Sequence, residues 1–257
     1  LTNAYQRSYA TGLHEGWNRL YFGKDQWTAA GTPDWASIIR LQVRVNSSGG
    51  GAPTAYFDSL YHSYYAAPKV IVCFDDSLAS QYTKAYPIMR ALNIKGTIYN
   101  ITNRIGSSAT YFSLAEMQTM YDDGWDMNNH THNHQNLDTD LTTVAAKYAE
   151  LKTAEDWLIN NGFTRNDCHR HVAYPFGGYD DDTLTAMAQL NPLTGRSTKS
   201  RTQAHEIDNQ NLLAWEGIGN TESLAEAKGF IDRTISEGGA VELTFHDIID
   251  GVAGTST

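Results

Sequence analysis

The sequence has few basic residues, and this shortage excludes several kinds of partner. Lysine and arginine number 19 against 29 aspartates and glutamates, which gives a formal net charge of −10 at pH 7. No basic patch stands out, so the sequence argues against a nucleic-acid or acidic-membrane partner and fits a neutral or cationic substrate better. No apolar run approaches the length of a membrane span.

The chain is also poor in cysteine, with only Cys73 and Cys168. Cys73 stands inside an apolar segment, which favours a buried free thiol. A disulfide between the two is not indicated, so cysteine content does not identify the compartment. No signal-peptide pattern opens the chain, which begins at Leu1 without a Met and ends shortly after His246. We therefore expect a processed product or a piece of a longer polypeptide.

Length and composition are sufficient for a large folded core. The 257 residues are 41% hydrophobic, and this length fits one barrel of roughly 200–250 residues with an additional module. The 15 tyrosines, 8 phenylalanines and 6 tryptophans suit a sugar-binding surface, although many other domains are equally aromatic. Nothing in the sequence indicates an oligomeric state.

Residues 1–66 have the pattern of β-strands. Ile39, Leu41, Val43 and Val45 alternate with polar residues, which is the period of a half-buried strand. Two further strands are predicted at 17–22 and 55–62, with a glycine-rich loop over 46–54. We interpret this region as the end of a β-sandwich whose earlier strands are absent, or as a small sheet that packs on the next domain.

The pattern changes after Pro68, and residues 67–257 are predicted to form a second domain. The capping box Ser113-Leu-Ala-Glu116 opens one helix, and Gly124 ends it. Strands are predicted at 69–74, 95–101, 125–129, 170–174, 212–216 and 240–245, and helices at 78–92, 114–123, 141–160, 182–190 and 224–237. Alternating strands and helices predict a parallel α/β sheet or barrel.

Polar side chains follow the predicted strands, at the edge where parallel α/β folds carry their chemistry. Asp75 and Asp76 close the first strand, and His130 and His134 follow the third. The i, i+4 spacing of the histidines places both imidazoles on one face of a helical turn. One carboxylate and two imidazoles can bind a divalent metal, and the second carboxylate can accept a proton from water. Both aspartates reach one site only if the strand already curls there.

Four motifs in order resemble those of the polysaccharide deacetylase family, which are Thr-Phe-Asp-Asp, His-(Ser/Thr)-x-x-His, Arg-x-Pro-Tyr-Gly and Leu-x-Leu-His. Here they are Cys73-Phe-Asp-Asp76, His130-Thr-His-Asn-His134, Ala173-Tyr-Pro-Phe-Gly177 and Leu243-Thr-Phe-His246. The resemblance extends from about residue 68 to 247. It implies a distorted (β/α) barrel with fewer than eight strands, here preceded by the partial β-sandwich segment.

The resemblance also implies roles for single residues. Asp76, His130 and His134 would bind one divalent metal, with zinc expected and cobalt or nickel as alternatives. Asp75 would be the general base. The remaining assignments are His246 as general acid, the Phe176 backbone N–H as oxyanion donor, Tyr174, Pro175 and Gly177 as pocket residues, and Leu243 as the wall for the acetyl methyl.

The chain departs from the family pattern in two places. Ala173 stands where the family often has an arginine that pairs with the base, so the pKa of Asp75 is expected to be higher than in the family. Arg170 and Arg201 are the candidates to replace that arginine. The family's further aspartate, which orients the acid histidine, has only Asp208 as a weak match.

Three functions compete at this point. The first is removal of N- or O-linked acetyl groups from a carbohydrate, with an extracellular or cell-surface location implied by the resemblance. The second is another metal-dependent hydrolase such as a phosphoesterase, although basic residues for a phosphate are not gathered near the motifs. The third is a sugar-binding protein with a relict barrel, although binding alone would need neither Asp75 nor His246.

Other conspicuous residues have simpler explanations. His132 is predicted to be a hydrogen-bonded loop residue, and the segment 168–171 to lead into a strand. The acidic run 180–182 is predicted to cap a helix. Trp215 and Tyr179 fit equally well as sugar platforms or as core and rim aromatics.

Overall fold

The computed structural model describes residues 3–6, 27–45, 54, 56, 68–200, 210–219, 222–237 and 239–250. The chain divides into two compact units, Leu1–Tyr65 and Ala66–Thr257. The predicted strand at 17–22 and nearly all of that at 55–62 lie outside the described residues, as do Arg201 and Asp208. The sandwich origin of the first unit therefore stays a prediction.

The first unit contains a small antiparallel sheet. Strand β1 (Ala4–Gln6) pairs with β2 (Thr28–Ala30), and a 3-10 turn follows at Trp35–Ser37. The ring of Tyr5 stacks on Trp35 at 3.9 Å between centroids. The strand predicted around Ile39 is wrong, because residues 38–45 are irregular and Ile39 is 99% exposed. Alternation forms a strand only where a neighbouring strand pairs with it, and no described residue does so here.

The second unit is built on a closed parallel barrel of seven strands. They are β3 (Lys69–Asp75), β4 (Thr97–Asn100), β5 (Asp126–Asn129), β6 (His171–Ala173), β7 (Thr194–Ser200), β8 (Leu213–Gly217) and β9 (Ala240–Phe245). They pair in sequence order, and β9 closes the barrel on β3. The predicted barrel with fewer than eight strands is confirmed. Six of the strands were predicted from the sequence, and β7 was not.

The helices lie between consecutive strands along the chain. They are α1 (Tyr86–Ala91), α2 (Leu114–Asp122), α3 (Val144–Asn160), α4 (Asp181–Leu190) and α5 (Leu224–Glu237). A π-helical segment (Gln81–Ala85) precedes α1, and 3-10 turns lie at Arg165–Arg170 and Pro175–Gly177. The capping box of Ser113 and Glu116 forms as predicted. No helix in the described part of the chain has the length and apolar character needed to cross a bilayer.

The core has two parts. Phe74 packs outside the barrel, 5.5 Å from Trp125, in a cluster with residues of the flanking helices. Gly96 allows this packing, because a Cβ there would stand 2.6 Å from the Trp125 ring. Inside the barrel, Cys73 lies with Tyr99 among fully buried side chains. Both cysteines are buried and free, as expected for Cys73. This packing fixes the strands whose carboxyl ends carry the site.

Candidate active site

A candidate metal centre lies where β3 and β5 end. One ligand atom each from Asp76, His130 and His134 lies within 4.8 Å of the others, the one such group found among the described residues. Asp76 Oδ1 is 3.3 Å from His134 Nε2 and 3.6 Å from His130 Nε2. That oxygen is buried and accepts no hydrogen bond from the described residues. A carboxylate with an unpartnered buried oxygen and two imidazoles fit a divalent cation.

The backbone bends sharply to bring these ligands together. Strand β3 ends at Asp75, and Asp76 has a φ of 75°, which is the curl that two adjacent aspartates require. The prediction that His130 and His134 share a helical turn is wrong, because residues 130–134 form a loop with Thr131 at φ 67° and His134 at φ 61°. The left-handed residues fold the loop back, so the ring centroids are 4.8 Å apart. Non-glycine residues in this region are strained, and such strain concentrates at functional sites.

Protonation states at the centre favour metal binding. His130 Nδ1 lies 2.8 Å from the carbonyl oxygen of Ala173, and a carbonyl only accepts, so this nitrogen carries the proton. The Nε2 lone pair of His130 is then free for a cation. Burial, and after it the neighbouring His130, lowers the pKa of His134 to about 4. The His134 imidazole is therefore neutral near pH 7, which is the form that binds metals.

The histidine loop is anchored to its surroundings. The backbone N–H of Asn133 donates to Glu150 of α3, and the Asn133 side-chain amide donates to the same carboxylate at 2.8 Å. On the other side, Thr102 Oγ1 lies 2.8 Å from His132 Nδ1. The prediction that His132 is a hydrogen-bonded loop residue is confirmed. These contacts hold the loop from two directions and leave the ligands little freedom.

Asp75 is paired with an arginine that the sequence analysis missed. Arg196 on β7 is 2% exposed, and its Nη2 lies 2.6 and 2.7 Å from the two Asp75 carboxylate oxygens. Its Nε lies 3.3 Å from Glu242 Oε2 on β9. The candidate Arg170 is wrong, because its guanidinium donates to the carbonyl of Asn191 instead. Arg196 thus supplies the positive charge that the third motif lacks, since Ala173 stands at its arginine position.

This pairing reverses the expected titration of Asp75. Burial raises the pKa of Asp75, but the charges of Arg196 and His130 together outweigh it, so the pKa lies below its ordinary value. The expectation of a higher pKa is wrong, because an arginine is present after all. Its guanidinium lies 4.7 Å from the ring centroid of Tyr99 and 5.1 Å from that of Trp215. Two carboxylates and two aromatic rings therefore fix its position.

His246 follows β9 and lies beside Asp75. Its Nε2 is 3.8 Å from Asp75 Oδ2, and its side chain is 46% exposed. The ring of Trp215 meets it edge-on at 6.1 Å between centroids. Within the described ranges, Asp75 is the only carboxylate at ion-pair distance from His246. The base and acid candidates are therefore neighbours, and His246 is the more exposed of the two.

The third motif divides between the site and the core. The Phe176 ring lies 4.7 Å from that of His134, and Phe176 is 67% exposed with a φ of 58°. Gly177 has a φ of 70°, and a Cβ there would stand 2.3 Å from Thr198 Oγ1. Tyr174 turns into the core, where its hydroxyl donates to the carbonyl of Asn211 at 2.7 Å. Pro175 is also buried. Phe176 is thus the member of this motif whose side chain reaches the metal centre.

Leu243 lies on the side of β9 that faces away from the candidate site. Adjacent strand residues point to opposite faces, and Glu242 is on the interior face with Arg196. The register pairs Leu243 with Glu216, whose carboxylate accepts from Arg233 of α5. The buried Leu243 side chain therefore packs toward the helix layer in this structure.

A cleft opens beside the metal centre. Its volume is about 230 Å³, which is room for one small polar group or sugar unit. It is lined by Asp76, Leu78, Ile101, Arg104, Tyr111, Asn133 and His134.

The acidic run 180–182 does not line this cleft. Asp180 caps α4 by accepting a hydrogen bond from the N–H of Thr183, as predicted. Tyr179 packs on Tyr174, 5.7 Å between centroids.

Comparison with known proteins decides the family. Residues 63–193 match the sequence model of the family described as polysaccharide deacetylase, which is about half of the chain. The chain belongs to the polysaccharide deacetylase family. The matched region contains the first three motifs, and the three residues of the candidate metal centre lie within it.

Several relatives are similar to this chain. A poly-beta-1,6-N-acetyl-D-glucosamine N-deacetylase of Staphylococcus epidermidis is 29% identical over 56% of this chain and 52% of the relative. The deacetylase PplD of Streptococcus pyogenes, solved with acetate, aligns with a TM-score of 0.55 and 28% identity over 62% of this chain and 69% of that one. A polysaccharide deacetylase of Bacillus cereus has the same fold, with a TM-score of 0.54, 22% identity, and coverage of 63% and 50%. The chain spans about half the length of the curated relatives it matches.

Proposed function

We propose that this protein is a metal-dependent hydrolase that removes acetyl groups from a carbohydrate polymer or oligosaccharide. One observation carries the proposal. The candidate metal centre of Asp76, His130 and His134 lies next to the Asp75 carboxylate, which pairs with Arg196 and is 3.8 Å from His246 Nε2. Hydrolysis of an amide or ester needs these parts together, whereas sugar binding alone needs neither Asp75 nor His246.

The residues divide the chemistry between them. Asp76, His130 and His134 would hold a divalent ion, which would supply Lewis acidity for the hydrolysis. Asp75 accepts a proton from the attacking water, and Arg196 keeps Asp75 ionised and oriented for this task. His246 donates a proton to the departing nitrogen or oxygen. The Phe176 backbone N–H is proposed to donate to the oxyanion, since Phe176 lies beside His134.

The substrate proposed is a polymer or oligomer of N-acetylhexosamine. The support is the name of the curated relatives, which are N-deacetylases of poly-beta-1,6-N-acetyl-D-glucosamine. An O-acetylated glycan is the alternative, because the site geometry does not discriminate nitrogen from oxygen. The net charge of −10 suits a product that becomes cationic on deacetylation.

The metal proposed is zinc, and cobalt or nickel can bind the same ligand set. The location proposed is extracellular or cell-surface, in keeping with a polysaccharide substrate. Residues 1–66 are proposed to be a separate β-strand module that contributes none of the chemistry, since the metal centre is formed by the second unit alone.

Acetate release from N-acetylated β-1,6-glucosamine oligomers tests the proposal. The protein is stripped with a strong chelator and then reloaded with zinc, cobalt or nickel. We expect no activity in the stripped protein and recovery on reloading. Asp75→Asn should lower kcat by roughly 10²–10⁴ with metal affinity retained, whereas Asp76→Asn should lose the metal.

Asp138→Asn is the matched control, since Asp138 is an exposed loop carboxylate near the same loop. Its activity should equal that of the unmodified protein. Activity that is indifferent to the chelator contradicts the proposal. Loss of metal in Asp75→Asn but not in Asp76→Asn shows that the two aspartates have exchanged roles.

A further inference from the structure

A buried glutamine connects the two strands that carry the candidate base and acid. Gln81 is 0% exposed. Its Nε2 donates to the backbone carbonyl of Asp75 and, at 3.1 Å, to the backbone carbonyl of His246. We propose that Gln81 is a positioning residue that holds Asp75 and His246 at the separation that hydrolysis needs. The inference rests on the proposed function for the roles of those two residues.

The orientation of the Gln81 amide follows from its partners. Both partners are carbonyl oxygens, which only accept, so the amide nitrogen must face them. Its two N–H groups are then both used. The Gln81 Oε1 atom is buried and accepts no hydrogen bond from the described residues. Burying an unsatisfied acceptor is unfavourable, so the side chain is placed for its donors.

The pairing of β3 with β9 explains why a bridging side chain is needed at this position. Strands β3 and β9 are paired up to Phe74 and Phe245. Asp75 and His246 come next in the same register, beyond the last paired residues. Among the described residues, the pairing of β3 and β9 does not extend to Asp75 and His246. Gln81 connects their backbone carbonyls instead. The side-chain amide thus takes the place of the next rung.

The neighbouring Ser80 ties down the chain beyond His246. Its hydroxyl lies 2.5 Å from Asp247 Oδ1 and accepts from the N–H of Ile248 at 2.9 Å. The dipeptide of Ser80 and Gln81 therefore contacts three consecutive residues after β9. It begins the π-helical segment, a rare geometry that is frequent at functional sites.

This arrangement predicts which step depends on Gln81. Without the Gln81 hydrogen bonds, Asp75 at the end of β3 is still held by its ion pair with Arg196. His246 is exposed and loses the contact that fixes its backbone. Proton donation to the leaving group should therefore suffer more than attack by water.

Gln81→Met tests this, because methionine has a similar length and no donor. We measure hydrolysis of an N-acetylglucosamine oligomer and of 4-nitrophenyl acetate, whose leaving group needs little protonation. For the oligomer, kcat should fall by roughly 10- to 100-fold, since a misplacement of about 1 Å can cost 10² in rate. For the aryl ester, the loss should be within about threefold, and KM and zinc affinity should not change.

Two further variants keep the test decisive. Thr183→Val is the matched control, because Thr183 is fully buried and hydrogen-bonded at the start of α4, away from the site. It should change the rates on both substrates equally or not at all. Ser80→Ala removes the hydroxyl contacts with Asp247 and Ile248 without changing a core side chain. It should also lower kcat more for the oligomer than for the aryl ester, but by a smaller factor than Gln81→Met.

Amide hydrogen exchange of the zinc-loaded protein gives a readout independent of activity. Gln81→Met should speed exchange over residues 246–250, and Thr183→Val should not. Equal losses on the two substrates, or unchanged exchange over 246–250, overturn the role of Gln81. A wild-type protein that releases acetate from neither substrate overturns the proposed function. Amide hydrogen exchange then tests only whether Gln81 holds residues 246–250 in place.

Discussion

Replacing Glu242 by glutamine tests the electrostatics of the barrel interior. Glu242 is 9% exposed and shares Arg196 with Asp75. Burial raises the pKa of Glu242 to about 7 despite the opposing charge of Arg196. Glutamine keeps the shape of the side chain and an oxygen for the Arg196 Nε, but it cannot ionise. The substitution therefore removes one titration and little else.

The size of the effect follows from the difference in pKa between the folded and unfolded chain. Below pH 4.5, the ordinary value, the carboxyl group is protonated in both states and contributes nothing. Between pH 4.5 and about 7 the unfolded chain releases the proton and the folded protein keeps it, so stability falls as the pH rises. Above about pH 7 the loss is complete, and at 1.36 kcal/mol per pKa unit it amounts to about 3 kcal/mol.

Urea unfolding of metal-stripped wild type and Glu242→Gln at several pH values between 4 and 8.5 measures this. The two proteins should have similar stability at pH 4, and the variant should be more stable by about 3 kcal/mol at pH 8.5. The difference between the two proteins cancels the titrating groups that do not interact with Glu242. A difference that stays flat, or that favours the wild type as the pH rises, refutes the reasoning and means that Arg196 keeps Glu242 ionised throughout.

Two other predictions follow from single contacts. Arg196→Met leaves Asp75 and Glu242 buried without the Arg196 cation. The free energy of unfolding, measured with urea at pH 8, should therefore fall by about 3–5 kcal/mol, and kcat should also fall. Unchanged stability would contradict the pairing. Gly177→Ala should be destabilised by about 1–3 kcal/mol, because its φ is 70° and the new methyl meets Thr198. Gly162→Ala, with a φ of 84° and no atom within 4 Å, is the matched control. Equal losses in the two glycine variants would exclude the Thr198 contact.

The parts of the fold that the sequence predicted are those in which local pattern and burial agree. The apolar segment Val70–Phe74, for example, has the pattern of a strand in a parallel sheet, and Cys73 and Phe74 at its carboxyl end are buried. The polar residues that follow such strands, Asp75, Asp76 and His246, then lie at one edge because the strands are parallel. The convergence of Asp76 with His130 and His134 could be predicted in this way although Asp76 is far from the histidines in sequence.

The strand β7 was missed because its local pattern contradicts its position. Its sequence, Thr194-Gly-Arg-Ser-Thr-Lys-Ser, contains no large apolar residue. Its inward side chain is Arg196, which the interior accepts only because Asp75 and Glu242 compensate its charge. One signal was available, since the predicted elements left about twenty residues unassigned between α4 and β8. Loops of that length are uncommon in compact domains.

The histidine loop shows a different limit of sequence patterns. The i, i+4 spacing correctly brought His130 and His134 together, but the helical turn was the wrong reason. Thr131 and His134 adopt left-handed backbone conformations, which are uncommon for non-glycine residues. The loop is held in this form by Asn133 on Glu150 and by His132 on Thr102. Contacts from distant elements decided the backbone, and a local pattern contains no information about them.

The position of Arg196 explains how the third motif can lose its arginine. Inside a narrow barrel, side chains of neighbouring strands converge on the same space. Strand β6 ends at Ala173, and the register of β6 and β7 pairs Ala173 with Arg196. An arginine one strand further along therefore reaches Asp75 through the space that the small Ala173 side chain leaves open. The candidate base Asp75 thus has a cation beside it, although that cation comes from β7 and not from the third motif.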